Sequence, residues 1–138
     1  MVYIGIDFGD KRVGVSRSDG VLATAVCALK VNGLADAVNK CAEKIKELGG
    51  GTVVIGLPRN MDSTEGFRAE RTRRFGTALA EKTGITPEYF DERLTTVRAY
   101  SYMNDADLAP GKKKSMVDSL SAEIILQDYL DSRAKAER

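Results

Sequence analysis

Three acidic residues sit where carboxylates could carry chemistry. Asp7 interrupts an apolar run, VYIGIDFG, in which Ile4, Ile6 and Phe8 alternate with Tyr3, Gly5 and Asp7 itself. A carboxylate inside a central strand is costly unless something pairs with it. It reads either as a strand-end acceptor for the following turn or as a metal ligand or phosphate-site residue. Gly9 and Gly14 nearby would let a ligand approach the backbone. Glu92 directly follows the strand-like TPEYF. At the C-terminal end of a parallel strand it would project into the crevice where α/β proteins place their sites. Its alternative is an exposed acid favouring the dipole of a following helix. Asp118 fits a capping box with Ser115. It also shares a helical face with Ala122, Ile125 and Tyr129, which would turn it towards a sheet. Three carboxylates converging there would repel one another unless a divalent cation lay between them. A pair of Mg²⁺ or Mn²⁺ ions could then activate water and stabilise the leaving oxygen of a phosphodiester.

Absent residue types narrow the choices. The chain has no histidine, which excludes Ser-His-Asp and Cys-His nucleophilic systems, histidine general bases and His-ligated zinc. Its two cysteines, Cys27 and Cys41, read as small buried hydrophobes rather than a disulfide. Carboxylates suit hard metals.

Basic residues gather near these acids. Between positions 59 and 75 there are five basic residues against three acidic ones. Arg68 and Arg71 belong to this group; Arg93 adjoins Glu92, and Lys112, Lys113 and Lys114 precede Asp118. With Lys11, Arg12 and Asn60 they are the expected nucleic-acid contacts. Such contacts position a phosphate backbone without specifying its sequence. A solvated helix face and a polar loop would use the same residue types. Asn60, Asp62 and Thr64 equally suit a turn. With no Trp, and with Tyr100 and Tyr102 read as flanking a helix, no aromatic stacking platform is expected.

The elements that must position these residues follow from periodicity. VYIGIDFG and RVGVS flank the turn-like Gly9-Asp10-Lys11 and read as a hairpin. VLATAVCAL (21–29) is a third strand. Leu34, Val38, Cys41, Ile45 and Leu48 recur every three or four residues, an amphipathic helix stopped by Gly49–Gly51. TVVIGLP (52–58) is apolar throughout, as for a strand buried on both faces. A loop follows, then a helix over 66–83 with Phe67, Phe75, Ala78 and Leu79 as its weak apolar stripe. TPEYF (86–90) is the fifth strand. Further helices run from about Thr95 to Asn104 and from Ser115 to Ser132, separated by the polar loop 105–114. The order β, β, β, α, β, α, β, α, α implies an α/β fold. Three leading antiparallel strands join later parallel ones in a five-stranded mixed sheet with helices on both faces.

The 138 residues, 15.0 kDa, suit a single domain over 1–138. Composition is that of a water-soluble protein, with 43% hydrophobic and 30% charged residues. A net charge of +1 gives no global attraction to a polyanion or membrane, so any such surface must be local. No apolar run is long enough for a membrane span, and MVYIGID lacks the features of a signal peptide, so a cytoplasmic location is expected.

GIDFGDKRVGVS, VVIGLPRNMDSTEG, DERLTT and KSMVDSLSAEIILQDYL, in that order, resemble the four motif blocks of the YqgF/RuvX family. The resemblance covers nearly the whole chain. It implies an RNase H-like fold, with Asp7, Glu92 and Asp118 matching the family's three acids. Family members are described as Holliday junction resolvases and as nucleases maturing the 5′ end of pre-16S rRNA. The implied activity is a hydrolase: a two-metal-ion nuclease acting on structured nucleic acid with Mg²⁺ or Mn²⁺. Its partner would be an RNA precursor, including that of the small ribosomal subunit, or branched DNA. The leading expectation is rRNA maturation, ahead of junction resolution. Junction resolution favours a homodimer; RNA processing is compatible with a monomer. Two other classes compete. IDFGDKRVGV resembles the phosphate hairpin of the actin and sugar-kinase superfamily, whose members close two such domains over ATP. A non-catalytic nucleic-acid-binding module would not need the acids.

Overall fold

The structure is a computed structural model, and it describes residues 1–58, 65–91 and 110–136, with side chains in the last stretch from 117 onward. Five strands form one sheet: β1 (Tyr3–Phe8), β2 (Arg12–Ser18), β3 (Ala23–Lys30), β4 (Thr52–Leu57) and β5 (Glu88–Asp91). Their order is β3-β2-β1-β4-β5. β1 and β3 each pair antiparallel with β2, whereas β4 pairs parallel with β1 and with β5. This is the mixed sheet expected from the alternation of elements. β1, β4 and β5 consequently end at one edge, the crevice edge of an open α/β sheet.

Helices cover both faces. On one, α1 (Leu34–Leu48) and α2 (Phe67–Thr83) lie over Ile4, Ile6, Val13, Val15, Val53 and Ile55. The spacing of Val38, Cys41 and Ile45 builds the α1 stripe, and all three are buried. Gly49 and Gly84 end the two helices in left-handed conformations, with φ of 72° and 77°. Glycine adopts these without a Cβ penalty. On the other face, α3 (Pro110–Ala136) packs Ile125, Leu126, Tyr129 and Leu130 against Val54, Tyr3 and Phe90. β4 is therefore apolar on both sides, as its composition requires.

Three local expectations change. The third strand begins at Ala23 rather than residue 21, leaving Val21 and Leu22 exposed in the preceding turn. Phe67 does not join the apolar stripe of α2; it is 72% exposed, while Ala69, Phe75 and Leu79 are buried. The last helix starts at Pro110, not Ser115. Proline is tolerated in the first turn because its missing N–H has no intrahelical acceptor there. Ser115 and Asp118 thus lie inside the helix rather than at its start. The helix expected over 95–104 lies outside the described residues.

The edge strand β3 is tied down from α3. Gln127 Oε1 accepts from Ala23 N at 2.8 Å, and Glu123 Oε1 accepts from Ala25 N at 2.9 Å. These bonds satisfy strand N–H groups that an open edge would offer to another chain.

Candidate active site

Two of the three candidate acids lie on elements that pack against one another, Asp7 on β1 and Asp118 on α3. Asp7 lies opposite Gly14 in the β1–β2 register. Gly14 in turn receives the backbone of α3: a Cβ there would fall on the carbonyl oxygen of Asp118. Gly5 makes the same allowance one step along, where a Cβ would collide with Leu126 and the Ala122 carbonyl. Ser16 fixes the contact, its buried hydroxyl donating to the Ala122 carbonyl at 2.7 Å. Glycine in a strand often marks close backbone approach. At Gly14 the approaching group is α3 itself, rather than a ligand. The helix is drawn onto the strand, so that the Asp118 backbone lies over the residue paired with Asp7.

Asp118 already has a cationic neighbour. Arg12 Nε, at the start of β2, donates to Asp118 Oδ2 at 3.1 Å, with both side chains largely covered. Burial pushes the Asp118 carboxyl above its ordinary range, and the Arg12 guanidinium offsets that only in part. Its ionised form therefore costs more in the folded chain than it would in water.

The sheet edge beyond Asp7 is basic. Gly9 N donates to the Arg12 carbonyl at 3.0 Å and closes the β1–β2 turn. Arg71 pairs with Asp10 in that turn. Arg68 and Arg71 border a depression of about 200 Å³ that also contacts Phe8, Gly9 and Asp10. Arg73 faces elsewhere, forming a two-pronged pair with Glu65 at 2.7 and 2.8 Å and lying 4.8 Å from the centre of the Tyr89 ring. Lys11 is exposed beside the same turn. A larger cavity, about 570 Å³, lies between the C-terminal ends of α1 and α2 and is bordered by Lys46, Gly50, Lys82 and Ile85. It is at the far end of the sheet from the acids.

Glu92, Arg93 and Asn60 lie outside the described residues, as do the side chains of Lys112, Lys113 and Lys114. Glu92 directly follows Asp91, the last residue of β5. Among the described residues no three His, Cys, Asp or Glu side chains gather closely enough to hold a metal ion. Both cysteines are free; Cys41 is buried, which pushes its thiol up to about 12, whereas Cys27 is only partly buried, unlike the expectation. Two features escaped the sequence reading. The Arg12–Asp118 pair joins residues 106 positions apart, beyond any local pattern. Exposed Phe67 carried no signal beyond its place at the start of a weak stripe.

Comparison with known proteins agrees with this architecture. The chain matches the family described as "RuvX: Holliday junction resolvase" over residues 1–132. A protein of Pelotomaculum thermopropionicum named "Putative pre-16S rRNA nuclease" is 38% identical, covering 100% of this chain and 92% of that protein. One of the same name from Heliobacterium modesticaldum is 42% identical over 97% of this chain and 91% of its own length. Among solved structures, T. thermophilus RuvC in complex with a Holliday junction substrate superposes with a TM-score of 0.62, at 13% identity, over 98% of this chain and 96% of that one. The fowlpox virus Holliday junction resolvase gives 0.57, at 10% identity, over 96% and 99%. At such identities these structures establish the RNase H-like fold of the resolvases. No described helix is long and apolar enough to cross a membrane. From its motif blocks, sheet order and full-length relatives alike, the chain belongs to the RuvX family of nucleases.

Proposed function

We propose that this chain is a metal-dependent nuclease that matures the 5′ end of pre-16S rRNA, with Asp7, Glu92 and Asp118 as its catalytic acids. The observation that supports this reading is the approach of α3 to Gly14, which brings the Asp118 backbone onto the strand residue opposite Asp7, towards the edge where β1, β4 and β5 end. The substrate assignment rests on the names of the full-length relatives.

The described residues fit a divalent cation. Their donors are carboxylate oxygens, the hard ligands Mg²⁺ and Mn²⁺ prefer. Asp118 is half-buried and holds a guanidinium, a stand-in positive charge, at one oxygen. Asp7 and Asp118 would hold the ion, with Glu92 as the third ligand; two ions at this site are part of the proposal. A bound cation supplies Lewis-acid stabilisation of charge on the scissile phosphate and its leaving oxygen. The chain's own residues do the rest. Asp7, near the end of a buried strand, gives a fixed acceptor. Arg12 limits the charge on Asp118 before loading. Lys11, Arg68 and Arg71 attract and orient the phosphate backbone. Asn60, Arg93 and Lys112 to Lys114 extend this contact set. The proposed location is the cytoplasm, where the rRNA precursor is found.

The test sets a labelled pre-16S 5′-leader RNA beside a four-way DNA junction, each with Mg²⁺ or Mn²⁺, using the wild-type chain and Asp7→Asn. Expected is metal-dependent cleavage of the RNA that falls at least about 100-fold in the variant, the scale for losing one strong electrostatic stabiliser. Wild-type turnover by Asp7→Asn would sink the site assignment. Paired symmetric nicks in the junction would replace the RNA substrate with branched DNA and imply a two-fold dimer. Tight binding without cleavage, unchanged by chelation, would make the chain a non-catalytic module.

A further inference from the structure

We propose that Phe67 and Arg71 form a stacking site for one unpaired nucleobase of the bound strand, on the side of the β1 end opposite Asp7. This rests on the nucleic acid crossing this sheet edge, as proposed above.

Three observations carry it. Phe67 opens α2 and is 72% exposed, on a helix whose other apolar residues are buried or partly buried. The Arg71 guanidinium lies over that ring, 5.5 Å from its centre. The two border the 200 Å³ depression, together with Arg68, Phe8, Gly9 and Asp10. Phe8 follows Asp7 in the same strand, and alternation turns the two side chains to opposite faces. The depression and the carboxylate therefore flank a single strand end. A nucleic-acid strand that crosses this sheet edge with its phosphate on the Asp7 side would carry neighbouring nucleotides towards the depression that Phe67 borders.

The chemistry fits a base better than any other planar group. An exposed phenyl ring offers a π-face that accepts every base, so the site would favour an unpaired nucleotide without reading sequence. Arg71 adds a cation–π partner and Arg68 a positive charge for the adjoining phosphate. Asp10 pairs with Arg71 and holds its guanidinium at the ring. The N-terminus of α2 carries no side-chain cap, so its dipole also favours the phosphate. A base held inside a duplex cannot present its face to Phe67. The site would thus direct cleavage to the junction between paired and unpaired nucleotides.

The test uses the full chain carrying Asp7→Asn, so that bound strands stay intact. Two probes are compared: a blunt duplex, and the same duplex with a short 3′ overhang bearing 2-aminopurine at its first unpaired position. Each is made as RNA and as DNA. Expected is tighter binding of the overhang probe with quenched 2-aminopurine fluorescence. Adding Phe67→Ala lowers overhang affinity by at least about five-fold, the lower end for losing one base–aromatic stack, and abolishes the quench. Phe67→Tyr retains both; Phe67→Leu, apolar but without a π-face, loses both. Phe67 dependence with RNA alone assigns the base to RNA, and dependence in both assigns it to either strand. An overhang preference and quench unaltered by Phe67→Ala overturn this inference while leaving the nuclease reading intact. No salt-sensitive binding of any probe would remove both.

Discussion

The two faces of the sheet solve opposite problems. Under α1 and α2, β1, β2 and β4 present Ile4, Ile6, Val13, Val15, Val53 and Ile55, and contact is made by branched side chains that keep helix and sheet backbones apart. Under α3, the central strands present Gly5, Asp7, Gly14 and Ser16, and near the crevice edge the contact is made by backbone. The first face stabilises by burial, which tolerates small shifts. The second sets the position of one carboxylate relative to another, which does not. α3 has its own apolar cluster farther along, around Leu126 and Tyr129, so the same helix is anchored by side chains at one end and placed by glycines at the other.

That contrast predicts different failures. Ile4→Ala on the burial face should cost about 2–5 kcal/mol of unfolding free energy, the range for removing a fully buried isoleucine. Cleavage per folded molecule should stay within about two-fold of wild type. Gly14→Ala should cost about 1–3 kcal/mol or more, because its Cβ would fall on a backbone carbonyl and α3 must slide to relieve the clash. That slide carries Asp118 away from Asp7, so cleavage should fall well beyond the loss of folded protein. Urea titration alongside cleavage rates corrected for folded fraction checks both. If the two variants lose activity only in proportion to stability, the faces do not differ as argued.

Much of this division was legible in the sequence. Alternation marked β1 and β2, an all-apolar run marked β4, and the three-and-four spacing of Val38, Cys41 and Ile45 marked α1. These signals survive because burial acts on every residue of an element. Asp7 and Asp118 stood out for the converse reason, the first as an acid in an otherwise apolar strand and the second as an acid with apolar neighbours on its helical face. What was not legible depends on contacts between distant segments. Gly14 signalled a close approach but not that α3 was the partner. The start of α3 was hidden because PGKKKS carries no apolar period before Val117. Phe67 looked like core because sequence spacing cannot show that a helix's first residue overhangs the sheet. Glu92 lies outside the described residues, so its place rests on the family's motif block.

The smallest effect probes the balance of charge between Asp118 and Arg12. Burial raises the Asp118 carboxyl, while Arg12 and its hydrogen bond act to lower it; burial wins. Ionisation therefore costs more in the folded chain than in the unfolded one. With the folded value above the unfolded one, near 4 for Asp, the penalty is absent below that pH. It is fully present once the pH exceeds the raised folded value. Asp118→Asn keeps the shape and removes the charge. Arg12, 27% exposed, can turn to water for its lost partner. Without divalent metal, the variant should melt slightly above wild type at pH 7, by roughly a degree or two in a thermal melt. The gap should close as the pH falls through the carboxylate range, where Asp118 in the wild type is itself protonated. Adding Mg²⁺ or Mn²⁺ should raise wild type past the variant, because a cation between the acids supplies the neutralisation that Arg12 leaves incomplete. A variant melting below wild type at pH 7 without metal would show that the Arg12 pair outweighs burial.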